Sequence, residues 1–421
     1  FTTHAPDASV TLVPIERGLP SGDGTTVPAG QAQATLAFGP GGALRVVATD
    51  TLGEPIPVRI QVIPASPPPA TPAAFGIRDE AGGRLHQEFA MDGQATLRVP
   101  PGRHRVLVSR GYEWEMHDVE VDVAAGETVD VAAPIHHSVD TTGVMCADFH
   151  IHSFFSADSN DPADHKVKGA IADGLDIPVS SEHEWVIDFQ PIVESLGLER
   201  WALGMASQEL TTFTWGHFGV VPATPVPGGF NNGGVDWVGR LPTEVFALAK
   251  AQPSAPMLIV NHPVGTAFSS YFTASRLDPV TGTSQHELWD PGFDAIEVFN
   301  DSDFDDNRDG VVRHWFALLN SGRKIAAVGS SDSHHLRTSP IGYPRTCMPF
   351  GTDDPRQITP SQVRDAAATG RSTISGGLFM TVEAAGGARP GDTVPKSTSA
   401  TLTVTVEGPS WVRGESLEGF G

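Results

Sequence analysis

Residues Asp148–Ser159 read DFHIHSFFSADS. The stretch opens with His150-x-His152 and continues past a predicted turn to Asp158.

 If the residues from Met145 onward form a strand, side chains alternate between its faces, and both imidazoles leave the same face near its C-terminal end. Two imidazoles side by side suit a divalent transition metal, and an acid just beyond the turn can reach a second ion. His-x-His is a short pattern, and its weight comes from the residues that accompany it downstream.

The 421-residue chain has room for two or three domains. Its 39% hydrophobic and 8% aromatic content are those of a globular protein. No apolar run approaches the roughly 20 residues that a membrane span requires. A net charge of -23 argues against nucleic acid as a passive partner. An anionic small molecule remains compatible, because bound metal ions invert the local field. The two cysteines, Cys146 and Cys347, form no Cys-x-x-Cys site. They could form one disulfide if their strands are neighbours, or remain two buried thiols. Export, to the periplasm or outside the cell, is the preferred reading.

Working outward from the His-x-His stretch, residues 1–138 read as an irregular arm followed by an antiparallel β-sandwich. Runs such as ALRVVATD, PVRIQVIP and HRVLVSR are rich in β-branched residues and are separated by turns such as Asp92-Gly93 and Pro101-Gly102. The segment ATLRVPPGRHRVLVSRGYEW resembles the carboxypeptidase-regulatory, transthyretin-like sandwiches, which implies an attached module without chemistry of its own. From 139 to 375 strand-like and helical runs alternate, which predicts a parallel sheet closing into a barrel. Barrel sites lie at the C-terminal ends of strands. His150, His152, His183, Glu209, Asn261, His262, Asn300, Asp332 and His334 all fall at such ends. Residues 376–421 read as a small C-terminal β segment.

Nine residues form the expected metal-ligand set: His150, His152, Asp158, His183, Glu209, His217, His262, Asp332 and His334. Imidazole and carboxylate without thiolate suit Zn, Mn or Fe. Nine donors exceed what one ion takes and fit two or three ions, with Glu209 as the expected bridge.

DFHIHSFFSADS, GLDIPVSSEHEW, SQELTTFTWGHF, LIVNHPVG and AVGSSDSHH resemble, in order, the motifs of the PHP (polymerase and histidinol phosphatase) superfamily, most closely its CehA/McbA-like branch. The resemblance spans roughly residues 143–373 and implies a distorted (β/α)7 barrel with a di- or trinuclear centre. It implies one ion on His150, His152, Glu209 and Asp332, a second on Glu209, His217 and His262, and a third on Asp158, His183 and His334. One departure is Glu182-His183, where the family often has Asp-His. Glu182 and Glu184 are read as surface acids, because neighbouring strand residues alternate faces.

The implied activity is that of a metal-dependent hydrolase. Ions sharing a water lower its pKa toward neutrality, and the resulting hydroxide attacks an electrophile. A small phosphoester is the first choice of substrate and a carbamate or carboxylic ester the second; outside enzymes, the alternative is a surface or adhesive protein retaining the barrel as a scaffold. Glu209 and Asp332 would act in catalysis, and Arg345 would clamp phosphate through its planar fork. Asn300 and His335 are expected at the rim. The loop from Gly265 to Pro291, with Phe268, Tyr271, Phe272 and Trp289, is expected to form a substrate wall or lid, with Trp215, Phe230 and Trp237 as further candidates. Asp305-x-Asn307-x-Asp309-Gly310 begins like a calcium loop, but Phe316 stands where an EF-hand needs Glu, so it reads as a solvated acidic loop. His4, His86, His104, His117, His136, His137, His165 and His314 are read as structural or exposed.

Overall fold

The computed structural model describes residues 7–20, 24–66, 83–301, 304–396 and 399–416. His4, Ser302 and Asp303 lie outside the described residues. The chain divides into two compact units, one ending at Arg110 and resuming over Glu115–His136, the other combining Gly111–Trp114 with the chain from His137 onward.

Among the described residues the first unit holds nine strands: β1 (Val10–Leu12), β2 (Thr25–Val27), β3 (Gly42–Thr49), β4 (Val58–Pro64), β5 (His86–Ala90), β6 (Gln94–Val99), β7 (Gly102–Ser109), β8 (His117–Val123) and β9 (Thr128–Pro134). They form sheets ordered β6-β3-β9 and β5-β4-β7-β8, beside the β1-β2 pair. Leu44, Val46 and Ala48 on β3 and Val58, Ile60 and Val62 on β4 are fully buried at every second position, the period of a one-sided strand. The pairing is not wholly antiparallel as expected, for β3 runs parallel to β9. Of the histidines in this unit, the His86 and His104 rings bond to the Arg98 and Pro100 carbonyls, in keeping with structural roles.

The second unit is built on one ten-stranded sheet. Its strands are β10 (Val144–Ile151), β11 (Ile177–Ser180), β12 (Ile187–Asp188), β13 (Met205–Thr211), β14 (His217–Val221), β15 (Met257–Asn261), β16 (Ala295–Asn300), β17 (Ala326–Ser330), β18 (Arg345–Pro349) and β19 (Thr373–Ser375). The order is β17-β16-β15-β14-β13-β11-β10-β18-β19, with β12 paired to β13. Short, almost continuously buried runs such as Ile177–Ser180 and Met257–Asn261 are what a sheet covered on both faces requires. The sheet is nearly closed: Ile151 bridges Ser333, the His152 amide donates to the Ser333 carbonyl at 3.1 Å, and the Gly329 amide donates to Thr346 Oγ1 at 2.9 Å. One buried cluster draws on Met145, Ile177, Met205, Ile259 and Val328 from around the sheet, with Val363 of the helix Pro360–Ala368 packed into it.

The alternation of strand-like and helical runs predicted parallel pairing throughout. The structure keeps this for β10–β11–β13 and β15–β16–β17, but β14 runs antiparallel to both neighbours, as does β18. The reversal of β14 explains why His217, at a strand's N-terminus, arrives at the same end of the sheet as residues at the C-termini of parallel strands. Cys146 and Cys347 face each other across β10 and β18 and are bonded, which decides between the two states expected for them. The C-terminal segment contributes a hairpin, β20 (Phe379–Ala384) with β21 (Leu402–Glu407).

Candidate metal centre

The strand ends deliver the expected ligands to one place. His150 lies near the end of β10 and His152 just beyond it; Glu209 lies on β13, His217 opens β14, His262 follows β15, and Asp332 and His334 follow β17. Two sheet irregularities coincide with this delivery, since register shifts between Asp148 and Ile151 on β10 and between Glu297 and Phe299 on β16. Such bulges re-aim the side chains near them. His262 and Asp332 adopt left-handed backbone conformations, with φ of 27° and 53°. Non-glycine residues there carry strain of about 1–3 kcal/mol, which collects at functional sites.

Glu209 is the hub. Its side chain is 0% exposed, and its two oxygens divide the surrounding imidazoles. Oε1 stands 3.1 Å from His150 Nε2, 3.4 Å from His217 Nδ1 and 3.2 Å from His262 Nε2. Oε2 stands 2.7 Å from His183 Nδ1 and 3.7 Å from His152 Nε2. Asp332 Oδ1 lies 3.2 Å from His150 Nε2 and 3.3 Å from His152 Nε2. Nearer the surface, Asp158 Oδ2 lies 3.1 Å from His183 Nε2 and 3.3 Å from His334 Nε2. Donor atoms converge in four groups: His150/His152/Glu209, Glu209/His217/His262, His150/His262/Asp332 and His152/His183/His334. These groups contain eight of the nine expected ligands, and Asp158 joins them through His183 and His334.

The buried imidazoles are fixed by partners that the sequence reading missed. Glu297, 1% exposed, takes His150 Nδ1 at 2.8 Å, the His262 amide at 2.7 Å and Asn300 Nδ2 at 2.9 Å. Glu182, expected at the surface, is 0% exposed and takes the hydroxyls of Ser153 and Ser156, the latter at 2.6 Å. Ser156 has one hydroxyl proton. An ionised Glu182 can only accept, so Ser156 Oγ donates to it and accepts from the His183 amide at 3.0 Å and from His152 Nδ1 at 2.9 Å. That places the His152 proton on Nδ1 and a lone pair on Nε2. The Glu297 carboxylate takes Nδ1 of His150 in the same way; burial opposes the charged form of that ring, but Asp332, Glu297 and Glu209 raise it well above its ordinary pKa in the metal-free protein. Nε2 of both rings is buried without a hydrogen-bond partner. A buried, unsatisfied acceptor pointed at carboxylates is costly in a metal-free site and is what a metal ligand requires. The donor set thus fits a divalent cation.

Glu184 is half-buried rather than superficial, and accepts from the Thr211 amide at 2.7 Å and Trp237 Nε1 at 2.9 Å. The alternation rule fails here because β11 ends at Ser180.

The charges are strongly coupled to this packing. Burial pushes His152 down to about 4. Burial opposes the charged form of His183 too, but hydrogen bonding and attraction from Glu209, with Asp158, raise it to about 9. Glu209 and Asp332 are buried carboxyls, yet the histidines hold both well below the usual carboxylate range.

Arg345 does not join the site. Its guanidinium is 0% exposed and donates to the carbonyls of Gly342, Asp173 and Gly174, at 2.9, 2.9 and 3.1 Å. It also lies 3.5 Å from Glu113 and 4.3 Å above the Tyr112 ring. The antiparallel course of β18 seats it in this cage, and the expected phosphate clamp is corrected to a structural cation. The long loop is corrected in part: Tyr271 and Phe272 are buried in the core and Trp289 stacks on Tyr271. Trp215 is likewise core, whereas Phe230 is exposed.

Above the ligands is a cavity of about 420 Å³, whose further lining includes Val264, Thr266, Ser269, Ser270 and Asn300. Asn300 thus reaches the rim as expected, while the exposed His335 is not part of the lining.

No family model and no curated protein matches the chain at a significant level. Among solved structures, a two-domain protein containing a predicted PHP-like metal-dependent phosphoesterase, from Bacteroides vulgatus, is 19% identical over 56% of this chain and 66% of its own, with a TM-score of 0.35. The Bacillus anthracis TIE protein is 13% identical over 33% of this chain and 24% of its own, with a TM-score of 0.18. GBS52, the minor pilin of Streptococcus agalactiae, is 14% identical over 29% of this chain and 55% of its own, also at 0.18. The chain spans less than two thirds of each, and similarities this slight leave the function to be judged from the site.

Proposed function

We propose that the second unit is a metal-dependent hydrolase of the PHP type, on a distorted (β/α)7 barrel, acting on a small phosphoester. The observation that carries this reading is the pair of buried, partnerless Nε2 atoms of His150 and His152, each ring held at Nδ1 and facing Glu209 and Asp332. The order of the five motifs supports it. His150, His152, Glu209 and Asp332 would hold one ion, Glu209, His217 and His262 a second, and Asp158, His183 and His334 a third. Zn, Mn or Fe bound there would supply a water of lowered pKa and neutralise charge developing on the substrate oxygens. Glu209 would contribute to both inner sites, since its Oε1 faces His150, His217 and His262. Glu297 and Ser156 hold the imidazole protons on Nδ1.

A carbamate or carboxylic ester is the second reading. It is favoured by the seating of Arg345 away from the cavity and by the absence of Lys or Arg from the cavity lining among the described residues. We read the first unit as a β-sandwich module without chemistry. The Cys146–Cys347 bond supports an exported protein, since disulfides persist in oxidising compartments.

The test is elemental analysis of the purified protein, with turnover of bis-p-nitrophenyl phosphate and p-nitrophenyl acetate after reconstitution. About two or three ions per chain and phosphodiester turnover are expected. Asp332→Ala and His262→Ala should abolish turnover and leave the first unit folded. Less than one ion per chain with no activity would overturn the reading in favour of a non-catalytic scaffold.

A further inference from the structure

The walls above the ligands differ in character from the floor. Ions held by the floor would bind the reacting group, but the remainder of a substrate meets Val264, Gly265, Thr266, Ser269, Ser270 and Asn300. These are neutral, and no Lys or Arg lines the cavity among the described residues. A charged substituent entering this wall would lose hydration without gaining an ionic partner. The carboxylates of Asp158 and Asp332 would further oppose an added anion.

The loops that carry the floor and walls also carry an unusual number of exposed aromatics. Phe154 and Phe155 lie between His152 and Asp158 and are 69% and 50% exposed. Phe213, between Glu209 and His217, and Phe268, between Thr266 and Ser269, are each 71% exposed. The loops bearing the latter two are joined, since the Gly216 amide donates to the Phe268 carbonyl at 3.2 Å. Phe213 also meets Trp237 edge to face, with ring centroids 5.5 Å apart. None of these four phenylalanines lines the cavity itself, but all are carried by loops that supply its lining, and exposed phenylalanines on such loops offer a surface to an apolar group.

We infer that the non-reacting part of the substrate is uncharged and carries an aromatic or comparably bulky apolar group, held by the exposed phenylalanines of the loops that supply the cavity's lining. This rests on the proposed hydrolase reading and specifies its substrate class. It excludes substrates in which a second phosphate or carboxylate flanks the scissile bond.

The experiment compares substrates that share a leaving group and differ only in their flank: p-nitrophenyl phenylphosphonate, p-nitrophenyl methylphosphonate, and thymidine 3′-phosphate 5′-(p-nitrophenyl phosphate). Rates are normalised to each compound's uncatalysed hydrolysis. The metal-loaded protein should prefer phenyl to methyl by about tenfold or more in kcat/KM, and should disfavour the doubly phosphorylated compound. Phe268→Ala should cut the phenyl rate several-fold more than the methyl rate; Phe213→Ala provides the same test from the other loop. Thr266→Lys should improve the doubly phosphorylated substrate relative to the other two. The pair p-nitrophenyl benzoate and p-nitrophenyl acetate makes the same flank comparison for a carbonyl substrate. Turnover with equal phenyl and methyl rates, or with the extra phosphate preferred, would overturn the inference while the hydrolase reading stands. No turnover of any of these compounds by fully loaded protein would overturn both.

Discussion

Glu297 Oε1 lies 2.8 Å from Nδ1 of His150, so a buried carboxylate on β16 orients an imidazole of the proposed metal centre on β10. Its other oxygen serves the His262 amide and Asn300 Nδ2. Glu297→Gln changes one oxygen to an NH2 group and cannot accept all three donors. Metal affinity should fall by about 10- to 100-fold, the usual cost of disturbing such a partner, with the fold retained. Chelator competition followed by elemental analysis measures this. Unchanged affinity would show that Glu297 does not orient the ligands.

Ser156 is the link between Glu182 and His152. Ser156→Ala leaves the His183 amide and His152 Nδ1 without this acceptor and Glu182 with one donor fewer. A loss of about 1–3 kcal/mol in stability is expected, read by denaturant unfolding. The ion on the His183/His334 side should be lost before the one shared by Glu209, His217 and His262. Equal loss of all ions would argue against separate positioning.

Metal loading should release protons. His183 is raised to about 9 in the metal-free protein, chiefly by Glu209 once burial is overcome, so it holds a proton at neutral pH. That proton stabilises the metal-free fold fully below the ordinary imidazole pKa, and the contribution disappears as pH rises through about 9. An ion binding His183 must displace it, so affinity should climb with pH until about 9 and then level. Calorimetry at pH ~7.5 in buffers of different ionisation enthalpy should detect about one released proton from this residue. Binding heats independent of buffer would refute the coupling.

Arg345 should matter for folding and not for phosphate recognition. Arg345→Met leaves Glu113 and three backbone carbonyls without the cation in a buried cage. Breaking a buried pair in this way costs about 3–5 kcal/mol. Stability should fall accordingly, and any loss of activity should be equal for phosphate and carboxylate esters. Intact stability with a selective rise in KM for phosphoesters would restore the clamp.

The ligands were legible because histidines at strand ends form a pattern that survives without any knowledge of pairing. Glu297 leaves a weaker mark within AIEVFN: an acid in an otherwise apolar, buried strand is a signal, since a charge there needs a partner. Glu182 escapes the alternation rule because β11 ends at Ser180. Arg345 could not be placed from spacing, since its surroundings come from Tyr112, Glu113 and Asp173, distant in sequence and brought together only by the tertiary fold. The reversal of β14 was hidden for a similar reason: its apolar run records burial and not direction.

The junction between Ile151 and Ser333 has a further consequence. His150 and His152 stand on one side of it, Asp332 and His334 on the other, and these flanks lie near opposite ends of the barrel's sequence. Cations shared across it would act as a clasp on the cylinder, joining the first and last parallel strands where backbone pairing is thinnest. Without them, the wall should part along this line before it parts elsewhere. Amide exchange over residues 144–152 and 326–334 should therefore slow more on metal loading than exchange in β13 to β15, so that filling the site also finishes the container around it.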